Sequence, residues 1–414
     1  MIVSIRNLSK TVRTRLGQRD DRASEGPTPP PRNPPPFATK VVRPQSVVAP
    51  AGSGLSRTPP RPEADRQDGY LEAFDADTLF YDVFRSGRDV YLCGPPALDA
   101  MERLRACRFL IDGVEVNQAT SLSDRGRTQR SRITKPVLGQ ELRIASETGE
   151  VLATAQIGVD YSKLFSDRKA LMTLSKNNDL TWIRDWLEFY HRIHGVDAVV
   201  LYDNASEEYT LEDLQAVVDS VPGIEASAVV SWPFKYGPGG GPRKIWDSDF
   251  CQYSMVEHAR WRFLRRAAGV VNADIDELVI TDDGRTVFEH AAESEQGVAL
   301  YSGRWVEKVT ETALDPDRTR RFVDYRRHVG HECTTKWTMI PARVPDSAQW
   351  RVHSIQGLNI PKDEGVTHRH FKGINTNWKY DRAEQVADSE VHVVDDKLVE
   401  ALARAFSADE VAAT

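Results

Sequence analysis

Three carboxylates in four residues, Asp274, Asp276 and Glu277, interrupt what is otherwise an apolar run from Gly269 to Ile280. Its two flanks, Gly269 to Val271 and Leu278 to Ile280, read as strand. Asp is a poor strand former, and an unpaired carboxylate beside a buried sheet is costly. The pattern therefore calls for compensating positive charge, and a divalent cation is the obvious source. Residues two apart in a regular strand point to one face, so Asp274 and Asp276 would share it. If the strand ends here instead, they would still meet at its carboxyl end.

The residues upstream give this stretch a setting. Ala170 to Ser175 reads as a strand closed by Lys176-Asn177-Asn178-Asp179. Trp182, Ile183, Trp186, Leu187, Tyr190 and Ile193 then form one apolar stripe at helical period, with Gly195 as the stop. Asp197 to Tyr202 is the next strand, ending in Asp203-Asn204-Ala205-Ser206. Thr210 and Asp213 predict a capping pair for a helix through Val218. Ile224 to Trp232 is a third strand, and a helix over roughly Asp247 to Ala268 leads into the acidic one. The Gly- and Pro-rich loop Phe234 to Lys244 lacks the spacing of a phosphate-binding loop. Such alternation predicts an α/β fold with a mostly parallel sheet, whose ligands gather beyond the carboxyl ends of its strands. Asn177, Asp203 and Asp274/Asp276 all fall at those ends.

Elsewhere the chain is plainer. Twelve of its 23 prolines fall between Pro27 and Pro62, which predicts a disordered linker following a basic N-terminal segment, together residues 1–68. In Met1 to Arg19, Ile5, Leu8, Val12 and Leu16 recur at helical spacing beside five basic residues and no acid. That segment reads as a floppy tail or as a helix resting peripherally on a membrane surface. Residues 69–166 read as a small β-rich accessory module, with Asp124 to Lys135 as a basic exposed loop. Asp396 to Phe406 predicts an amphipathic helix in a C-terminal extension, residues 383–414. Cys93, Cys107, Cys251 and Cys333 have no metal-ligand spacing and read as reduced thiols of a cytoplasmic protein. A net charge of −7 gives no reason to expect nucleic acid as a partner.

In this order, Lys176-Asn177-Asn178, Gly195-Val196-Asp197, Tyr202-Asp203-Asn204-Ala205-Ser206 and Asp274-Ile275-Asp276-Glu277-Leu278 form a series. Lys336-Trp337 ahead of Pro341, His353, and His370-Phe371 followed by Lys379 continue it. The series resembles glycosyltransferases of the GT-A fold, in the family-2-like and family-92-like group, and covers residues 170 to 380. Asn178 stands where that group usually has Glu, and Leu278 replaces a common aromatic. The resemblance implies a GT-A domain over 167–382 that moves a sugar, a hexose by expectation, from a nucleotide-diphosphate donor to a glycan acceptor with inversion. A UDP-sugar is the favoured donor and Mn2+ or Mg2+ the expected cofactor.

It further implies that Asp274, Asp276 and His370 hold the cation, with His368 as the other register for the histidine. Asn177, Asp203 and Asp274 would contact the nucleotide, and Lys336 or Lys379 would face phosphate. No catalytic base is assigned; Glu307, Asp249 and Asp247 are candidates by position alone. Two other readings remain beside it. One is a GT-A domain without turnover that binds nucleotide sugar as a scaffold or sensor. The other, a phosphohydrolase built on Asp274 and Asp276, lacks the motif's usual place on a first strand.

Overall fold

Why the acidic stretch is a strand end follows from its neighbours in the sheet. A computed structural model describes residues 39–136, 138–239, 245–310, 318–376 and 389–406. All of them fall in one compact unit, residues 35–414. Among the described residues the principal sheet has nine strands. In chain order they are β1 (Lys40–Val42), β2 (Lys169–Ser175), β3 (Ala198–Asp203), β4 (Ala226–Ser231) and β5 (Gly269–Asn272). β6 (Glu277–Thr281), β7 (Val298–Val306), β8 (Glu332–Met339) and β9 (Lys362–Phe371) complete it. The spatial order is β1-β4-β3-β2-β5-β8-β7-β9-β6. The first five are mutually parallel, β7 runs parallel to β9, and β8 and β6 run against their neighbours. The chain is thus mixed α/β with a large, mostly parallel sheet.

Strand alternation sends side chains to two layers. Leu171, Val199, Leu201 and Val271 face α1 (Leu180–His194) in one core; Ala170, Met172, Val200 and Tyr202 face α2 (Phe250–Ala259) in another. α1 starts where Asp179 accepts from the Thr181 amide and stops at Gly195, whose φ of 68° is the left-handed conformation glycine adopts freely. The expected Thr210–Asp213 capping box is present. The helix expected to continue through Ala268 is α-helical only to Ala259 and then widens into a π turn over Arg260–Leu264. At the far end Asp396–Ala405 forms the expected helix, capped by Asp395.

The N-terminal expectation needs correction. Residues 39–68, read from proline content as linker, are built into the fold. β1 pairs in parallel with β4, Lys40 opposite Ala228. Arg61 makes a two-pronged ion pair with Asp247, at 2.9 and 3.1 Å, and Tyr70 donates to the same carboxylate at 3.0 Å. Composition missed this because the prolines set an extended path while buried arginines, Arg57 and Arg61, supply the anchoring. The basic N-terminal segment, read as tail or helix, lies outside the described residues, and among the described residues no helix is long and apolar enough to cross a membrane.

Between β1 and β2 lie two four-stranded sheets, one of them including Asp82–Ser86, Asp89–Gly94 and Gln129–Ile133. The last of these strands occupies the expected basic loop. Gln129, Ser131 and Ile133 turn inward, and Arg130 pairs with Glu257 of α2. Asp82 reaches α2 as well: His258 Nε2 lies 2.8 Å away, and Tyr202 of β3 is 2.7 Å from the other ring nitrogen. Arg262 adds an ion pair to Asp82.

Replacing Arg61 with Ala would leave Asp247 buried and uncompensated. Urea denaturation should show a loss of about 3–5 kcal/mol, the usual cost of stranding one member of a buried pair.

Candidate functional site

The parallel register places strand ends together. Ser175 lies opposite Asp203, and Met172 opposite Asn272, so β2, β3 and β5 finish along one edge. After Asn272 the chain leaves β5, turns through Asp274 and Asp276, and re-enters the sheet at Glu277 as β6. Glu277 donates its amide to the Asp274 carbonyl at 3.1 Å, and its carboxylate accepts from the Asp274 amide at 2.9 Å. The Tyr190 hydroxyl of α1 holds β6 in place, donating to the Glu277 carbonyl and accepting from the Val279 amide.

A cavity of about 740 Å³ opens beside this turn, lined among others by Asn178, Asp274, Asp276, Trp305, Cys333 and His370. β9 runs antiparallel to β6 with His370 opposite Glu277, and parallel to β7 with Trp305 opposite His370. The predicted partners Asp276 and His370, 94 residues apart, therefore meet: His370 Nε2 lies 2.9 Å from Asp276 Oδ2. The Trp305 ring stacks on the imidazole at 4.1 Å between centroids. Burial disfavours charge on His370, but the Asp276 carboxylate outweighs it and raises the pKa to about 10. The other histidine of the pair, His368, is fully buried, and burial lowers its pKa to about 3.

Lys336 is not where the sequence suggested. Rather than facing phosphate, its ammonium is fully enclosed, 2.9 Å from Asp274 and 3.0 Å from Glu277. The physical reason is its register on β8, which points it into the sheet toward two carboxylates. Burial would lower the Lys336 pKa, yet these two charges hold it well above the ordinary lysine value. Burial likewise works against charge on Glu277, but Lys336 leads the groups that hold its carboxyl well below the usual range. Asp274 stays raised because burial prevails over Lys336.

Asn177 and Asp203 share a neighbouring region. Asn177 has φ of 54°, a left-handed conformation that Asn tolerates, and its side chain accepts from the Glu207 amide at 2.7 Å. Asp203 accepts from the Ser206 amide at 3.1 Å through Oδ2, while its buried Oδ1 makes no hydrogen bond. A second cavity of about 610 Å³ is lined by Asn177, Asn178, Trp182, Tyr209 and others, sharing Asn178 and Thr376 with the first. Lys379 lies outside the described residues.

No family model matches the chain, and no curated protein matches it. Among solved structures, an active-site mutant of LgtC, a glycosyltransferase, aligns at 11% identity with a TM-score of 0.24. The match covers 42% of this chain and 58% of that one, so this chain spans little more than half of that protein.

The three carboxylates picked by position as possible bases are engaged elsewhere. Asp247 pairs with Arg61, Asp249 with Arg127, and Glu307 with Lys372 at 2.7 Å. None of them lines the cavity; Glu332 does, with no side-chain hydrogen bond or ion pair among the described residues. Sequence reasoning missed Glu332 and Cys333 because neither sits in a motif.

The donor set fits a hard divalent cation: Asp276, with Asp274 and His370 beside it, offers carboxylate oxygen and imidazole nitrogen on one cavity wall. Such a cation would take the place of the His370 proton. In EDTA, the raised pKa of His370 makes a stabilising contribution that is full below the unfolded value of about 6.5. That contribution is lost as pH rises toward about 10. Chemical denaturation across this window should show a declining stability that His370→Gln flattens.

Proposed function

We propose that the chain is a metal-dependent glycosyltransferase of GT-A architecture, taking a hexose from a nucleotide-diphosphate donor, a UDP-sugar by preference, to a glycan acceptor with inversion. The observation that carries the reading is the convergence of Asp274, Asp276 and His370 on one cavity at the carboxyl end of a parallel sheet. Asp276 and His370 would hold Mn2+ or Mg2+, with Asp274 in support. The bound cation would supply Lewis-acid stabilisation of charge on the departing diphosphate.

The chain's own residues do the rest. Asp203 has a buried carboxylate oxygen still to satisfy, which suits a nucleotide N–H or ribose hydroxyl. Asn177 frames the adjoining cavity, where Trp182 and Tyr209 offer aromatic surface to a base. Lys336 neutralises Asp274 and Glu277 from behind and makes no donor contact. Trp305, stacked on His370, offers an apolar face to a sugar ring. Glu332 is the carboxylate we assign to deprotonating the acceptor hydroxyl. A cytoplasmic site of action, with residues 1–19 touching a membrane peripherally, fits a glycan acceptor made at a membrane surface.

One observation favours a second reading, a nucleotide-sugar-binding domain without turnover. The acids of the turn already have partners in the cation-free protein, Asp274 in Lys336 and Asp276 in His370.

Thermal shift with UDP, GDP and CMP, each with and without Mn2+, separates the two. Transfer predicts a Mn2+-dependent shift that favours one base, with about 2.7 kcal/mol of stabilisation at a hundred times the dissociation constant. A shift indifferent to metal, without turnover on a nucleotide-sugar panel, identifies the binding domain. Asp276→Asn should lower transfer about a hundredfold or more, since the metal's contribution is several kcal/mol. Wild-type rates in that variant would remove Asp276 from the metal site.

A further inference from the structure

Behind the acidic turn, three side chains carry softer donors. Cys333 on β8 and His368 and His370 on β9 place one ligand atom each within 4.8 Å of the others. Cys333 was absent from the cation site read from sequence and His368 stood there only as the alternative to His370, and the chemistry the three offer together is different. Thiolate and imidazole select zinc-class ions, whereas Mg2+ and Mn2+ prefer oxygen.

The spacing is informative. A tetrahedral ion with bonds of about 2.3 Å to sulfur and about 2.0–2.1 Å to nitrogen sets the two donors roughly 3.5 Å apart. Cys333 Sγ and His368 Nε2 are 3.4 Å apart. Glu277 Oε1 lies 3.5 Å from a ring nitrogen of each histidine, too far for a good hydrogen bond. It is fully buried and makes no hydrogen bond. A buried carboxylate oxygen in that condition is expensive, and a cation among the donors would relieve it.

The backbone is also shaped for this convergence. Gly303 on β7 has no side chain, and a β-carbon there would collide with both Cys333 Sγ and His368 Nε2. The ladder between β7 and β8 shifts register at this point. Cys333 and His370 also line the 740 Å³ cavity, so a fourth coordination position has somewhere to open.

We infer that Cys333, His368 and His370 form a binding site for a thiophilic divalent ion of the zinc class, with Glu277 alongside as its charge partner and a fourth position facing the cavity. The inference stands apart from sugar transfer: it needs only the donors and their spacing. Three protein ligands with an open position is the arrangement of metal sites that engage a ligand, as opposed to closed structural sites. His370 also faces Asp276, so an ion here and a hard cation at the turn draw on one imidazole.

Cobalt makes the test direct. Full-length protein stripped with chelator and titrated with Co2+ should take up one equivalent with a thiolate-to-cobalt charge-transfer band and strong ligand-field bands of tetrahedral type. Cys333→Ser should abolish the charge-transfer band and weaken Zn2+ binding tenfold or more, and His368→Gln should weaken it similarly. Asp274→Asn, a turn acid outside the set, should leave the band intact. Absence of the band in the wild type, or its survival in Cys333→Ser, overturns the assignment. A measurement without any variant covers the case of misfolding. Zn2+ should slow alkylation of Cys333 at least tenfold in the wild-type chain, read by peptide mass spectrometry, and an unchanged rate overturns the site.

Discussion

A single buried ammonium organises the acidic turn. Lys336 reaches Asp274 and Glu277 from β8 without any exposure to solvent. Charges that deep persist only as a set: each ion's lost hydration is large, and only the partners' proximity offsets it. The set therefore couples three separate pieces of chain, the exit of β5, the entry of β6 and the middle of β8. It also decides which acid of the turn remains adjustable. Asp274 is committed to Lys336, so the carboxylate whose partner can be exchanged is Asp276.

His370 makes that exchange possible. Its imidazole is buried between carboxylates and stacked on Trp305, so it holds a proton that an exposed histidine would have lost near neutrality. A proton and a metal ion are alternatives at the same carboxylate–imidazole pair, and either satisfies it electrostatically. The pair is thus satisfied without a metal, and under the proposed function a cation would replace that proton. On its inner side the surroundings change from oxygen donors to sulfur and nitrogen within the width of one imidazole.

Much of this was legible in the sequence, for identifiable reasons. The β2-α1-β3 alternation and the helix after it announced themselves through an unbroken apolar stripe, a glycine stop and a capping box, each a local signal. The turn at Asp274–Glu277 was visible because three acids in an apolar run have no cheap explanation. The resemblance put Asp276 and His370 in one site as ligands of a cation, and their direct contact was not foreseen. What escaped was set by long-range register. Nothing near Lys336 in the chain says that β8 runs antiparallel beside β5, and this alone turns its side chain inward. Cys333 and Glu332 are single residues without a pattern, placed on the cavity by the same strand. Arg130 reads as part of an exposed loop and Arg61 as part of a linker until Glu257 and Asp247, far along the chain, are brought to them.

The place of β1 has a consequence for how the chain is made. Lys40–Val42 completes the sheet only by lying along β4, and Arg61 finds its carboxylate at Asp247, 186 residues later. A chain emerging from the ribosome exposes this segment long before either partner exists. The proline-rich stretch must wait, unpaired, while about two hundred residues are added. Contacts of such sequence separation must meet their closure entropy before they return anything, and they form late. A sequence that stays extended and resists wrong strand pairing is well suited to that wait. Proline, which supplies no amide donor, gives it that quality. The composition that looks like a linker on paper is then the property of a segment whose partners are made long after it.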